Sequence, residues 1–324
     1  MSLEKEIDVA LSAVRIAMKI CQGVRANFSK ADTVTKSDTS PVTVADFAAQ
    51  AAVNTFLHRA FPDDPVVGEE DAADLRAPEG ADLLERVTNA VQTELPELDG
   101  PTVIQAIDRG SHEGGAEGRF WTLDPIDGTK GYIRGEQYAI ALALIEKGKV
   151  VLGVLGCPAM QASDGSEGCM FAAIRGQGAR EIPVHGSERS VAVQDLSTFD
   201  QANFCESVET GHTSHGASEQ IAEQLGITAP PFRIDSQCKY AAVARGEATI
   251  YLRLPKDDIY REKIWDHAAG LIVVEEAGGR VTDITGQDLD FSRGQKLEGN
   301  RGVIVTNGTL HDPVVAAVQN VLGV

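Results

Sequence analysis

The chain has 324 residues, with 29 Lys and Arg against 48 Asp and Glu, for a formal net charge of −19. Hydrophobic residues at 43% and charged residues at 24% suit a folded protein with material for one large core or two smaller ones, and argue against a disordered chain. No run of Lys or Arg offsets the acidity, which argues against a nucleic-acid partner and means that an anionic substrate needs metal ions or a few well-placed cations to enter this field.

From the N-terminus, Ile7, Leu11, Val14, Met18 and Cys21 share one face of a 3.6-residue period and predict a first helix. A polar stretch over 29–40 ends at Pro41. A second helix fits 45–60, with Phe47, Val53, Phe56 and Leu57 apolar and Pro62 and Pro65 ending it. Residues 65–68 read as a short strand running into Glu69, Glu70 and Asp71. The stretch 72–119 is the least regular, with a helix expected near 81–95 and a Gly-rich loop at 110–118. Strands are predicted at 120–123, 138–146, 150–155, 170–174 and 178–182, with tight turns at Lys147-Gly148 and over 175–178, the pattern of an antiparallel meander. The second half alternates instead: helix 218–225, strand 248–254, helix 265–277, strand 302–306 and a final helix over 313–322 with Pro313 in its first turn. That alternation points to an α/β layer. An α+β half over 1–186 and an α/β half over 187–324 are expected.

The longest apolar run, 139–145, falls far short of the ~18–20 residues a spanning helix needs, so no membrane partner is expected. Glu4, Lys5, Glu6, Asp8, Arg15 and Lys19 break up what would be the apolar core of a secretory signal. The cysteines, Cys21, Cys157, Cys169, Cys205 and Cys238, are odd in number and widely spaced, with no C-x-x-C. This argues against a disulfide framework or structural zinc site and suits small buried residues in a reducing cytoplasm.

The most specific stretch is Trp121 to Thr129, WTLDPIDGT. An apolar strand ends at Asp124, Pro125 forces a turn, and Asp127 follows, so two carboxylates at one strand end can share a hard cation such as Mg²⁺. The N–H groups of Gly128 and Thr129 would face an anion at a helix start. The plainer reading is a pair of ordinary Asp-Pro and Asp-Gly turns. Glu69 and Glu70 follow a short strand and could join the same cation, or form a solvated acidic turn. Asp266 and His267 open an apolar helix, where an Asp is commonly a cap and a lone His is more often structural than a ligand. Asp46 falls early in the second helix, where capping is again the plainer role.

Together these four stretches resemble the lithium-sensitive, magnesium-dependent phosphomonoesterase superfamily that includes inositol monophosphatases and fructose-1,6-bisphosphatases. Its pattern is Asp-Pro-(Ile/Leu)-Asp-Gly-Thr, with Glu-Glu upstream and Trp-Asp downstream, and all three parts occur here in order. The resemblance covers essentially the whole chain. Within the superfamily, the runs 36–46 (KSDTSPVTVAD), 113–121 (EGGAEGRFW), 131–137 (GYIRGEQ), 212–215 (HTSH), 235–240 (DSQCKY) and 251–255 (YLRLP), with the long insert between Asp71 and Phe120, look like the 3′(2′),5′-bisphosphate nucleotidase group. Tyr132 stands where that group usually has Phe, and Cys238 where it often has Ala or Val.

The resemblance implies a layered αβαβα sandwich of mixed α/β class, a metal-binding first half and a nucleotide-binding second half. It implies up to three Mg²⁺ held by Glu69, Asp124, the Ile126 carbonyl, Asp127 and Asp266, and inhibition by Li⁺. Asp46 and Thr129 would orient and deprotonate the attacking water. Thr129, His212, Ser236, Lys239, Arg253 and Asp266 would contact a small-molecule nucleotide substrate. The expected activity is removal of the 3′-phosphate of adenosine 3′,5′-bisphosphate, extending to the sulfated analogue of sulfur assimilation. An inositol polyphosphate 1-phosphatase or a dual-specificity member is the alternative enzyme. A silent binding protein should have lost a metal carboxylate, and none is missing. A Ca²⁺-binding protein would show EF-hand spacing, which is absent.

Overall fold

The computed structural model describes residues 3–28, 32–35, 41–208, 215–255, 257 and 259–324. Helix α1 (Glu4–Ala26) buries Ile7, Val14, Met18 and Cys21, the face that the period picks out. A two-stranded ribbon, β1 (Thr33–Thr35) and β2 (Pro41–Thr43), leads into α2 (Val44–Ala60). Thr43 caps α2 in a reciprocal capping box with Asp46. Helix α2 is buried nearly all round, so its apolar residues show no single stripe.

After β3 (Val66–Gly68) come α3 (Ala73–Arg76), α4 (Ala81–Gln92) and α5 (Gly100–Asp108). Helix α5 lies inside the stretch read as irregular. Its start is marked by Asp99, whose carboxylate accepts from Thr102 N, and by Pro101 in the first turn. Strand β4 (Arg119–Asp127) then enters the sheet, and α6 (Thr129–Arg134) follows it. Strands β5 (Ala139–Glu146), β6 (Lys149–Gln161), β7 (Glu167–Ile174), β8 (Ala179–Pro183) and β9 (Arg189–Val191) continue as the predicted meander. The seven-stranded sheet runs in order from β3 to β9, antiparallel throughout except that β3 lies parallel to β4.

The second half begins with β10 (Phe204–Glu206), α7 (His215–Leu225), β11 (Phe232–Arg233), α8 (Cys238–Ala244) and β12 (Ile250–Arg253). A 3-10 turn (Ile264–Asp266) leads into α9 (Ala268–Glu276), followed by β13 (Arg280–Thr282), β14 (Val303–Thr306) and α10 (His311–Leu322). These strands make a mixed sheet in the order β11-β10-β12-β14-β13.

The layers stack as αβαβα. Helices α1 and α2 cover one face of the large sheet, and their Val14 and Val53 join Leu142 and Leu144 in one core. Helices α8 and α9 fill the space between the sheets, packing Tyr240 and Ile272 with Ala141 and Leu155 on one side and Val303 and Val305 on the other. Helices α7 and α10 cover the far face of the small sheet. Strand β6 is sandwiched tightly. A Cβ on Gly153 would meet Ile272 Cγ2 at 2.5 Å, and one on Gly156 would meet Val14 Cγ1 at 2.6 Å. The two positions have opposite parity along the strand and face opposite helix layers. All five cysteines are buried and free, and among the described residues no helix is long and apolar enough to cross a membrane.

Candidate active site

The parallel pairing of β3 with β4 sets Gly68 opposite Leu123, and Glu69 N donates to Leu123 O at 3.1 Å. Glu69 therefore leaves its strand beside Asp124. Gln50 on α2 holds this turn from behind: its Oε1 accepts from Glu70 N at 3.1 Å and its Nε2 donates to Glu70 O and Ile107 O. A Cβ on Gly68 would fall 2.7 Å from Gln50 Oε1, so a side chain there would push aside the amide that holds the turn.

The ladder of β4 breaks between Asp124 and Asp127, where Pro125 has no N–H to give. Asp124 Oδ1 accepts from Ile126 N at 3.1 Å, and Asp127 Oδ2 accepts from Gln237 N at 2.6 Å. Gly128 adopts φ 91°, and a Cβ there would lie 2.9 Å from Ser236 Cβ. Thr129 then opens α6, its Oγ1 3.2 Å from Ile126 O and 3.4 Å from Asp46 Oδ1. Asp46 uses its other oxygen to accept from Thr43 N at 2.8 Å. It caps α2 and touches Thr129 at once.

Two cations share the site with the carboxylates. Lys239, 4% exposed on α8, lies with its ammonium 5.2 Å from the Tyr251 ring centroid. Arg253, the last residue of β12, donates from Nε to Glu262 Oε2 at 2.7 Å, with Nη2 3.8 Å from Asp266 Oδ2. Ser236 adopts φ 65° just before α8, and its Oγ accepts from Cys238 N at 3.2 Å.

A cavity of about 780 Å³ is lined by Glu69, Asp124, Ile126, Asp127, Thr129, Ser236, Lys239, Arg253 and Asp266. Asp46, 1% exposed, lies behind Thr129 and outside the lining. His212, together with 36–40 of the first nucleotidase-like run, lies outside the described residues. His267 faces away from this use. Its Nδ1 meets Tyr240 Oη at 2.7 Å and its Nε2 meets Glu262 Oε2 at 3.3 Å. Glu262, Asp266 and His267 do bring potential ligand atoms within 4.8 Å of one another, but the Arg253 guanidinium already sits against both carboxylates and His267 uses both ring nitrogens.

The carboxylates are held in a field dominated by burial and mutual repulsion. Burial, then the charges of Glu69, Asp127 and Asp266, push the Asp124 carboxyl well above its usual range. Burial likewise raises Asp266, against the pull of Arg253. Burial raises Asp127 too, opposed by Lys239, Arg253 and the Gln237 N–H. Buried carboxylates that repel one another lack positive charge between them. Their donor set is oxygen alone, four carboxylates and a backbone carbonyl, which fits a hard divalent cation such as Mg²⁺. Burial also raises Glu262, but Arg253 and the His267 hydrogen bond outweigh it and hold this carboxyl down to about 2.

Sequence reasoning missed Gln50 and Gln237 as supports of the site. Each is a buried polar residue whose partners lie far along the chain; Gln50 at least shows as an amide within an alanine run, whereas Gln237 sits among polar neighbours that give no such signal.

A profile of the inositol monophosphatase family matches residues 2–322. A 3′(2′),5′-bisphosphate nucleotidase of Schizosaccharomyces pombe is 44% identical over 343 residues, covering 99% of this chain and 97% of the relative. One of Oryza sativa is also 44% identical, covering 98% and 94%. Among solved structures, a Thermotoga maritima IMPase superposes with a TM-score of 0.68 at 22% identity, covering 98% of each chain, and Mycobacterium tuberculosis SuhB with 0.64 at 20%, covering 99% and 98%. At that identity the structural likeness speaks for the fold.

Proposed function

The chain belongs to the inositol monophosphatase family, and we propose that it is a Mg²⁺-dependent phosphomonoesterase that removes the 3′-phosphate of adenosine 3′,5′-bisphosphate, yielding AMP and phosphate. One observation carries the reading: a single cavity is lined both by the carboxylates Glu69, Asp124, Asp127 and Asp266 and by the cations Lys239 and Arg253. Such a lining offers oxygen donors for a cation and positive charge for an anion in one space. The nucleotide specificity rests on relatives 44% identical over nearly the whole chain that carry this activity in their names.

Glu69, Asp124, Asp127, Asp266 and the Ile126 carbonyl would hold the metal. When bound, Mg²⁺ supplies charge neutralisation for the phosphate oxygens and acidifies the attacking water. The rest falls to the chain. Thr129 Oγ1 orients the water, and Asp46 Oδ1, in reach of that hydroxyl, takes the proton relayed through it. The dipole of this pair is fixed in advance, because Asp46 is locked by Thr43.

Lys239 and Arg253 receive the phosphate that is not cleaved and supply positive charge that the −19 background withholds. Ser236 presents its hydroxyl from the turn just before α8. Phosphoryl transfer is mostly positioning and charge stabilisation, so a rigid cavity suffices and no covalent intermediate is needed. Phosphate release from adenosine 3′,5′-bisphosphate against inositol 1-phosphate, with and without Mg²⁺, tests the reading. Li⁺ is expected to inhibit by entering the same oxygen-lined site.

A further inference from the structure

Gln237 is 1% exposed and sits at the junction of three elements that carry the site. Its backbone N–H donates to Asp127 Oδ2 at 2.6 Å, at the end of β4. Its side-chain Nε2 donates to Trp265 O at 2.9 Å, and its Oε1 accepts from Gly270 N at 3.1 Å. Trp265 immediately precedes Asp266, and Gly270 lies in the first turn of α9 just after it. The amide therefore brackets Asp266 from both sides.

The physical need is clear from α9 itself. His267 occupies its N-cap position and makes no side-chain cap bond, although the first N–H groups of a helix have no partner within it. Gln237 supplies one of the missing acceptors from outside. Helices α8 and α9 touch closely enough for this. A Cβ on Gly270 would lie 2.3 Å from Tyr240 Cγ, and Tyr240 Oη meets His267 Nδ1 at 2.7 Å.

We infer that Gln237 is a positioning residue that fixes Asp127 and Asp266 relative to each other, so that carboxylates from the large sheet and from the α9 turn can serve one cation site. The inference rests on the metal reading proposed above. Outer partners of metal ligands commonly control affinity by about 10–100-fold, and here one side chain holds the flanks of one carboxylate while its own backbone holds the other.

The test uses the metal-free full-length protein, with Mg²⁺ binding followed by calorimetry and melting followed by circular dichroism. Q237L keeps the backbone N–H to Asp127 but removes both side-chain bonds. Y240F, on the same helix contact, removes the bond to His267 and touches neither carboxylate. Mg²⁺ affinity is expected to fall about tenfold or more in Q237L and to stay within about twofold of wild type in Y240F. Q237N, whose shorter amide cannot span Trp265 O and Gly270 N together, is expected to fall in the same way and serves if Q237L does not fold. Wild-type affinity in Q237L or Q237N would overturn the inference and leave the metal reading standing. Absence of Mg²⁺ binding in the wild type would overturn both.

Discussion

Asp46 caps α2 with one carboxylate oxygen and reaches the hydroxyl of Thr129 with the other, 3.4 Å away across 83 positions of sequence. A capping residue thereby stands directly behind Thr129, which lines the cavity. The helix start and the proposed proton path share one side chain.

Removing the Thr129 hydroxyl should stop proton transfer without disturbing the fold. T129V is expected to lower kcat by about 10²–10⁴-fold, the range of a lost general base, while T129S keeps most of it. Steady-state phosphate release at saturating Mg²⁺, with thermal melts alongside, distinguishes the two. Comparable activity in T129V and wild type would remove Thr129 from the proton path.

Lys239 offers a cleaner test of phosphate recognition than Arg253. Arg253 is tied to Glu262 and Asp266, so its loss would leave a buried carboxylate unpaired. No ion pair to Lys239 forms among the described residues. K239M should raise KM for adenosine 3′,5′-bisphosphate by about 10–100-fold, equivalent to one charge-assisted hydrogen bond, and raise it less for a simple monophosphate. Equal increases for both would mean that Lys239 does not read the second phosphate.

Li⁺ should inhibit far more strongly than Na⁺. It is close to Mg²⁺ in size, carries half the charge, and suits the same hard oxygen donors. Initial rates against LiCl and NaCl at constant ionic strength check this. Equal effects of the two salts would reduce the result to screening.

Sensitivity to acid has a separate source at the start of α10. Thr282 Oγ1 donates to Asp283 O, so it accepts from His311 Nε2 at 2.8 Å, and His311 Nδ1 lies 3.0 Å from Thr306 Oγ1, which can donate to it when the ring is neutral. Burial disfavours the charged ring and, assisted by the charge of Arg280, lowers its pKa from 6.5 to about 4. A folded value below the unfolded one means that the unfolded chain binds the proton more readily. His311 therefore contributes stability that is complete above pH 6.5 and lost as the pH falls toward about 4. Urea midpoints between these limits should fall less steeply in H311Q than in wild type. Parallel curves would contradict the assignment.

The carboxylates of β4 could be read from the sequence because Asp-Pro-Ile-Asp places both at one strand end, a purely local arrangement. Glu69 was recognisable as part of a motif, but its place beside Asp124 depends on the parallel register of Gly68 with Leu123, which no local pattern encodes. The meander was readable from alternating apolar runs and tight turns. Strands β10, β11 and β13 were not, since two or three residues are too few to show a period. Helix α5 escaped although Asp99 and Pro101 mark its start, because glycine and proline there also read as loop. Gln50 and Gln237 act through partners on other elements, and such hydrogen bonds exist only once the layers have assembled.

The most direct test of the central claim is phosphate release by wild type and D124N from adenosine 3′,5′-bisphosphate and from inositol 1-phosphate, each with Mg²⁺ and with EDTA. Asn keeps the shape of Asp124 and removes the charge that would hold the cation. The expected result is Mg²⁺-dependent release from the bisphosphate in wild type, much slower release from inositol 1-phosphate, and loss of about 10³-fold or more in D124N with an unchanged melt. Full activity in EDTA, near-wild-type turnover by D124N at saturating Mg²⁺, or a preference for inositol 1-phosphate would contradict it.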